Sequence, residues 1–157
     1  MDRKLARMTL AGTLAIAGLA HGAALFPYEG EWTLNVAESK YPPGFPAIRD
    51  HHMQVTKDDG TILQYTDNFQ VGDQPPVHVS YDGAYDGKPH KTSDGQMMAV
   101  LHTKTGYRDQ YTAPNGAKGK DKCDFSADGM RMTCHGEFTP PDAKQPVKFL
   151  EIWDKTK

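Results

Sequence analysis

From residue 30 onward, apolar and polar side chains alternate in short runs with a period of two. Val, Thr, Tyr and Phe dominate these runs, and no stretch after residue 24 sustains the 3.6-residue apolar spacing of a helix. The alternation predicts strands over Glu31–Val36, Arg49–Lys57, Thr61–Gln70, Pro76–Tyr85, Pro89–Thr92, Gln96–Thr103, Tyr107–Thr112, Lys118–Phe125, Met130–Phe138 and Val147–Asp154. Between them sit Asp58-Asp59-Gly60, Asp86-Gly87, Ser93-Asp94-Gly95, Asn115-Gly116 and Ala127-Asp128-Gly129, residues that tolerate the positive φ of tight hairpins. Hairpin follows hairpin, so the expected fold is all-β, an antiparallel up-and-down meander. An open sheet of about eight to ten strands would leave two unpaired edges, and closure into a barrel removes them; a sandwich is the alternative.

The first 24 residues break this pattern. Asp2-Arg3-Lys4 and Arg7 form a positively weighted head, Met8 to Leu19 is an apolar run, and Ala20-His21-Gly22-Ala23-Ala24 offers small residues to a peptidase. That arrangement predicts a signal peptide over 1–24 and an exported protein, periplasmic or secreted, with one domain over 25–157. No later stretch approaches the ~18 apolar residues of a spanning helix, so membrane insertion is not expected. Removing residues 1–24 takes three of the 18 basic and one of the 20 acidic residues, leaving a formal charge of −4. A mildly acidic domain is a poor nucleic-acid binder.

Export changes the meaning of the two cysteines, Cys123 and Cys134, because oxidising surroundings permit a disulfide. If Asp128-Gly129 is a two-residue turn, Cys123 faces Cys134 and Phe125 faces Met132. If Gly129 instead makes a bulge after a type I turn, the two cysteines point to opposite faces. Apolar matching favours the first register, which also puts Met130, Met132 and Cys134 on the face shared by Cys123 and Phe125.

Gly30-Glu31-Trp32 at the start of the first strand, followed by a loop and a meander of short hairpins, resembles the lipocalin or calycin superfamily. Trp32-Thr33-Leu34-Asn35, with Ser39-Lys40-Tyr41 and Pro43-Gly44 after it, is similar to exported bacterial lipocalin-like proteins. The resemblance implies a barrel with Trp32 plugging one end.

Candidate chemistry follows from strand parity. Tyr65-x-Asp67-x-Phe69, Tyr107-x-Asp109-x-Tyr111 and Phe149-x-Glu151-x-Trp153 each place a carboxylate between two rings on one face. If those faces look inward, Asp67, Asp109 and Glu151 share an aromatic cavity, where desolvation raises their pKa and suits them to acid or base catalysis. Arg108 and Gln110 occupy the other face of their strand, which supports Tyr107, Asp109 and Tyr111 as interior. His51 shares a face with Met53 and Val55 and is the histidine expected inside, with His52 pointing away. Tyr65, Tyr107, Tyr111 and His51 are thus candidate ligand-binding residues. Tyr41 and Phe45 join them as exposed aromatics on the proline-stiffened segment Glu38–Pro46, placed to close one mouth. No histidine pair has chelating spacing, so no metal site is expected, and no phosphate loop, GxSxG or HExxH suggests a cofactor or hydrolase. Tyr81-Asp82-Gly83 and Tyr85-Asp86-Gly87 read as a bulge followed by a turn.

Together these readings predict an exported barrel that takes a small apolar or aromatic molecule into its cavity. The alternative is a cofactor-free acid/base enzyme, an isomerase, cyclase or lyase, with Asp109, Asp67 or Glu151 moving the proton. Met97 to Leu101 is apolar on both faces and is a candidate surface for a homo-oligomer.

Overall fold

The computed structural model describes residues 28–157; the expected signal peptide lies outside them. Ten strands follow in chain order: β1 Gly30–Leu34, β2 Ile48–Asp58, β3 Ile62–Val71, β4 Val77–Ala84, β5 His90–Lys91, β6 Met97–His102, β7 Gly106–Thr112, β8 Lys118–Phe125, β9 Arg131–Thr139 and β10 Val147–Lys155. All neighbours are antiparallel, in the order β4-β3-β2-β1-β10-β9-β8-β7-β6-β5. Only β1 departs from simple succession, pairing with both β2 and β10 and so joining the two ends of the meander. The remaining edges, β4 and β5, are stitched by Ser93, whose N–H donates to Ser80 O at 2.9 Å and whose Oγ accepts from Ser80 N at 2.8 Å. The result is a nearly closed up-and-down barrel, the solution by which a meander hides its edges.

Two bulges in β2 decide what faces inward. Ile48 pairs with Val71 on the inner face, and strict alternation would bring Asp50 inside next. Asp50 instead takes a positive φ of 49° within a register shift between Arg49 and His52, which inserts one residue and turns His51, Met53 and Val55 inward. A second shift between Val55 and Lys57 turns Lys57 away and buries Asp58. No comparable shift occurs in β4, whose pairing with β3 is continuous; the expected bulge at Tyr81-Asp82-Gly83 is absent because Gly83 stays in the ladder, where a Cβ would overlap the Tyr81 ring.

One end of the barrel is plugged. Trp32 is fully buried, and its indole Nε1 donates to Tyr28 O at 2.8 Å. Tyr28 and Phe125 pack on it at ring-centroid separations of 5.8 and 5.6 Å, and Tyr107 lies 5.1 Å from Tyr28. Beneath them Cys123 and Cys134 sit directly opposite each other in β8 and β9 and are joined as a disulfide. The register is the one apolar matching favours, although the turn differs from the two-residue turn expected. Gly129 N donates to Ser126 O and Ser126 N to Arg131 O, so four residues form the loop. An even loop keeps the same pairing, and it leaves Met130 in the loop and exposed rather than on the inner face.

On the outer wall Arg108 and Gln110 are exposed, as their parity requires. The apolar outer stripe of β6 is partly covered by the chain itself: Gly87 donates to Val100 O at 3.0 Å and lies against Leu101, Ala99 is buried, and Met97 remains exposed. Among the described residues no helix is long and apolar enough to cross a membrane.

Candidate functional site

The other end of the barrel opens into a cavity of about 750 Å³. Its mouth is formed by the segment from Pro42 to Pro46 and by the hairpin ends at Gln96, Asn115 and Pro140. Below the mouth the walls come in layers set by strand register. The upper layer runs Met98, Tyr111, Gly119, Phe138, Val147 across β6 to β10. The middle layer runs Val100, Asp109, Asp121, Gly136, Phe149, and the lower one Tyr107, Cys123, Cys134, Glu151. Two glycines make the aromatic surface possible, since a Cβ on Gly119 would overlap the Tyr111 ring and one on Gly136 would overlap Phe149 and Asp121 Oδ1.

All three carboxylates expected inside line this cavity, and so do Tyr65, Tyr107, Tyr111, His51 and Phe45. The structure adds a fourth acid. Asp121 lies directly opposite Asp109 across the β7–β8 ladder, an arrangement of like charges that costs stability when both are ionised. Burial pushes Asp121 well above the usual carboxylate range, and the charges of Asp109 and Glu151 push it further. Asp109 is raised as well, first by burial and then by Glu151. The pair is therefore poised to hold a proton at pH values where surface acids have lost theirs.

Glu151 is better provided for. Tyr41 OH donates to its Oε1 at 2.9 Å and Trp153 Nε1 to its Oε2 at 3.2 Å. Burial still raises its pKa, against the opposing influence of His51 and these two donors. Asp67 pairs with His51, whose Nε2 lies 3.0 Å from Oδ1 and 3.1 Å from Oδ2. The imidazole stands edge-on to Trp153 at 4.5 Å and 5.0 Å from Phe69, which fixes its plane, while its Nδ1 has no hydrogen-bond partner among the described residues. His52 faces out and bonds Thr33 Oγ1 at 3.0 Å. Burial holds the phenols of Tyr65, Tyr107 and Tyr111 above their ordinary value, so they are neutral donors.

Tyr41 and Phe45 are not the exposed aromatics expected. Both are half-buried: they stack at 5.1 Å with a 12° interplanar angle, and Phe45 packs at 6.1 Å from Phe149 and edge-on to Phe138. Lys40 exchanges backbone hydrogen bonds with Leu150, which fastens the segment to β10. The Pro42–Pro46 strap thus narrows the mouth, while Tyr41 stands behind it on Glu151.

Sequence reasoning missed Asp121 and Tyr28. Lys120 and Lys122 flank Asp121, so it reads as part of a solvated charge run; its parity with Cys123 was the available signal. Tyr28 precedes the first strand and carries no periodic signal, yet its hydroxyl donates to Tyr107 OH at 3.1 Å and closes the cavity floor.

The arrangement can enclose an apolar body and present acidic and phenolic groups to it. Among the described residues no group of three or more His, Cys, Asp or Glu side chains converges as a metal site. The architecture is that of an up-and-down β-barrel with one end plugged and one open. It is similar to the solved structure of EF1p2_mFAP2b bound to DFHBI, with a TM-score of 0.53 at 6% identity over 82% of this chain and 94% of that one. At such identity the likeness is one of fold. No protein-family model and no curated protein matches the chain.

Proposed function

We propose that this chain is an exported, lipocalin-like barrel that binds a small apolar or aromatic molecule in its cavity. The observation that carries the reading is the cavity itself: about 750 Å³, open at one end, walled by aromatic and methionine side chains, with a few polar groups to orient a guest. That a barrel of the same fold is bound to DFHBI supports the use of such an interior. The disulfide agrees with an oxidising compartment. Fluorescence titration with N-phenyl-1-naphthylamine, a neutral apolar probe, tests the reading. About one probe per chain is expected, and Met98→Trp, which fills the upper layer, should weaken binding about tenfold or more. No uptake by the wild type, or equal uptake by the filled variant, would refute it.

The His51–Asp67 pair favours a second reading, proton transfer on the bound molecule. Asp67 orients the ring through Nε2 and leaves Nδ1 with an unused lone pair, as a general base requires. Native mass spectrometry of protein purified from the periplasm would identify a retained molecule. If that molecule is converted, His51→Gln, which removes the base, should cut turnover by about 10² or more, whereas on the binding reading it leaves affinity for the neutral probe within about tenfold.

A further inference from the structure

The distribution of charge between the two faces of the barrel wall is lopsided. Outside, acids have cations beside them: Lys122 Nζ is 2.6 Å from Asp124, Lys120 Nζ 2.9 Å from Glu137, and Arg131 bridges Glu38 and Asp154. Inside, four carboxylates line the cavity, and among the described residues of the lining His51 is the one basic side chain, with no lysine or arginine. His51 is already committed to Asp67. Asp109 makes no hydrogen bond or ion pair with any described residue, and Asp121 Oδ1 is buried with no hydrogen-bond partner among them. Two unpartnered acids facing each other inside a barrel are costly to keep, and burial without a counter-group is tolerated where a ligand supplies it.

We propose that the cavity selects a protonated amine carried on an apolar or aromatic body, its N–H donors held between Asp109 and Asp121. This rests on the ligand-binding reading above and names the chemical class of the guest. A guest without donors would leave both acids unsatisfied, a single hydroxyl would serve only one of them without offsetting charge, and an anionic guest would meet like charge. An ammonium group supplies donors to both carboxylates as charge-assisted hydrogen bonds. Tyr111 and Phe149, in contact with the glycines that flank the acid pair, offer ring faces to the same cation. A bare metal ion fits less well, because the acids ring an apolar volume instead of converging on a point.

Cation binding should also expel a proton. The charge acting on the pair from outside it is that of Glu151 on β10, and Asp67 from β3, His51 from β2 and the phenols of Tyr65, Tyr107 and Tyr111 share the same cavity lining; the pair's close charged neighbour is thus negative, so the empty pair retains a proton that an ammonium displaces.

Three probes with one ring system separate the possibilities: 1-naphthylmethylamine, 1-naphthalenemethanol and 1-naphthylacetate, each titrated calorimetrically into the full disulfide-bonded chain at pH 7. The amine should bind at least about tenfold more tightly than the alcohol, and the carboxylate most weakly. Repeating the amine titration in buffers of different ionisation enthalpy should reveal proton release. In Asp109→Asn/Asp121→Asn, which keeps side-chain shape, the amine-to-alcohol affinity ratio should collapse toward one. Alcohol binding as tight as amine binding would overturn the amine proposal and leave the ligand-binding reading standing. Uptake of none of the three, with the wild type folded by circular dichroism, would overturn both. The wild-type ratio and the proton release need no variant, so a misfolded double mutant does not rescue the idea.

Discussion

The plugged and open halves of this barrel are built from the same strands but obey different rules. In the plugged half the large inward side chains pack on one another: Trp32 and Met132 are fully buried, Tyr28 caps Tyr107, and the disulfide ties β8 to β9. In the open half the same strands carry Asp109 and Asp121 face to face without partners, and glycines replace side chains where rings must lie flat. A few residues along one strand therefore separate positions selected for packing from positions that sacrifice stability. The lesson is that strand parity says which residues enter the interior, whereas height along the barrel says whether they serve the core or the cavity.

The sharpest way to break this contrast is at the plug. Trp32→Ala removes the largest fully buried side chain from a close-packed layer and should cost about 3–5 kcal/mol, lowering Tm by about 10 °C or more. Urea denaturation checks it; a loss below about 1 kcal/mol would mean that the plug is not the core. Next in size is the disulfide. Replacing both cysteines by alanine opens a loop with a sequence separation of 11 and should cost about 2–3 kcal/mol. Thiol titration of the denatured, unreduced wild type should find no free thiol; two free thiols would contradict the bridge.

The sequence was legible where one rule acts alone. All ten strands appear within two residues of their expected bounds, because alternation and turn residues agree throughout. The inward placement of Asp67, Asp109 and Glu151 followed from the rings on either side of each. Legibility failed where two signals compete. Asp121 hides between two lysines that belong to the opposite face. Asp50 and Thr56 absorb register shifts that no composition rule announces, and Met130 falls in a four-residue loop that has the same parity as a two-residue turn. Tyr41 and Phe45 looked exposed because prolines and glycine surround them, yet their stacked pair packs on Phe149 once β10 returns beside the segment.

The open half should respond to pH in the sense opposite to most acid-bearing surfaces. Asp109, Asp121 and Glu151 have folded-state pKa values raised above their unfolded ones, chiefly by burial, so the folded chain binds more protons than the unfolded chain. Their contribution is fully present below the unfolded value of roughly 4 and is lost as pH rises through the folded values. Asp124 and Asp128 are lowered, by Lys122 and by the Ser126 hydroxyl respectively, and contribute in the reverse direction, losing their effect as pH falls below about 4. The ligand-free protein should therefore lose stability between about pH 5 and pH 8. Asp121→Asn removes one member of the facing pair and should stabilise the chain by about 1 kcal/mol at pH 7.5 and by less at pH 5. Denaturant melts at the two pH values decide the matter, and a slope with pH identical to wild type would show that the pair is not the source.

The smallest effect should come from the strap at the mouth, and it separates a hydrogen bond from a stack. Tyr41 gives its hydroxyl to Glu151 and its ring to Phe45. Tyr41→Phe keeps the stack and removes one donor from a carboxyl group that Trp153 still serves, so stability should fall by about 1 kcal/mol or less. The Pro42–Pro46 strap should stay in place, and dissociation of N-phenyl-1-naphthylamine should change by less than about threefold, since 1.4 kcal/mol corresponds to tenfold. Tyr41→Ala removes the ring as well, which frees Phe45 from its stacked partner at the mouth and should speed dissociation by about tenfold. Stopped-flow measurement of both variants gives the comparison. Equal acceleration in the two would assign the strap to the hydrogen bond with Glu151, and the mouth would then be held by the acidic interior instead of by its own aromatic rim.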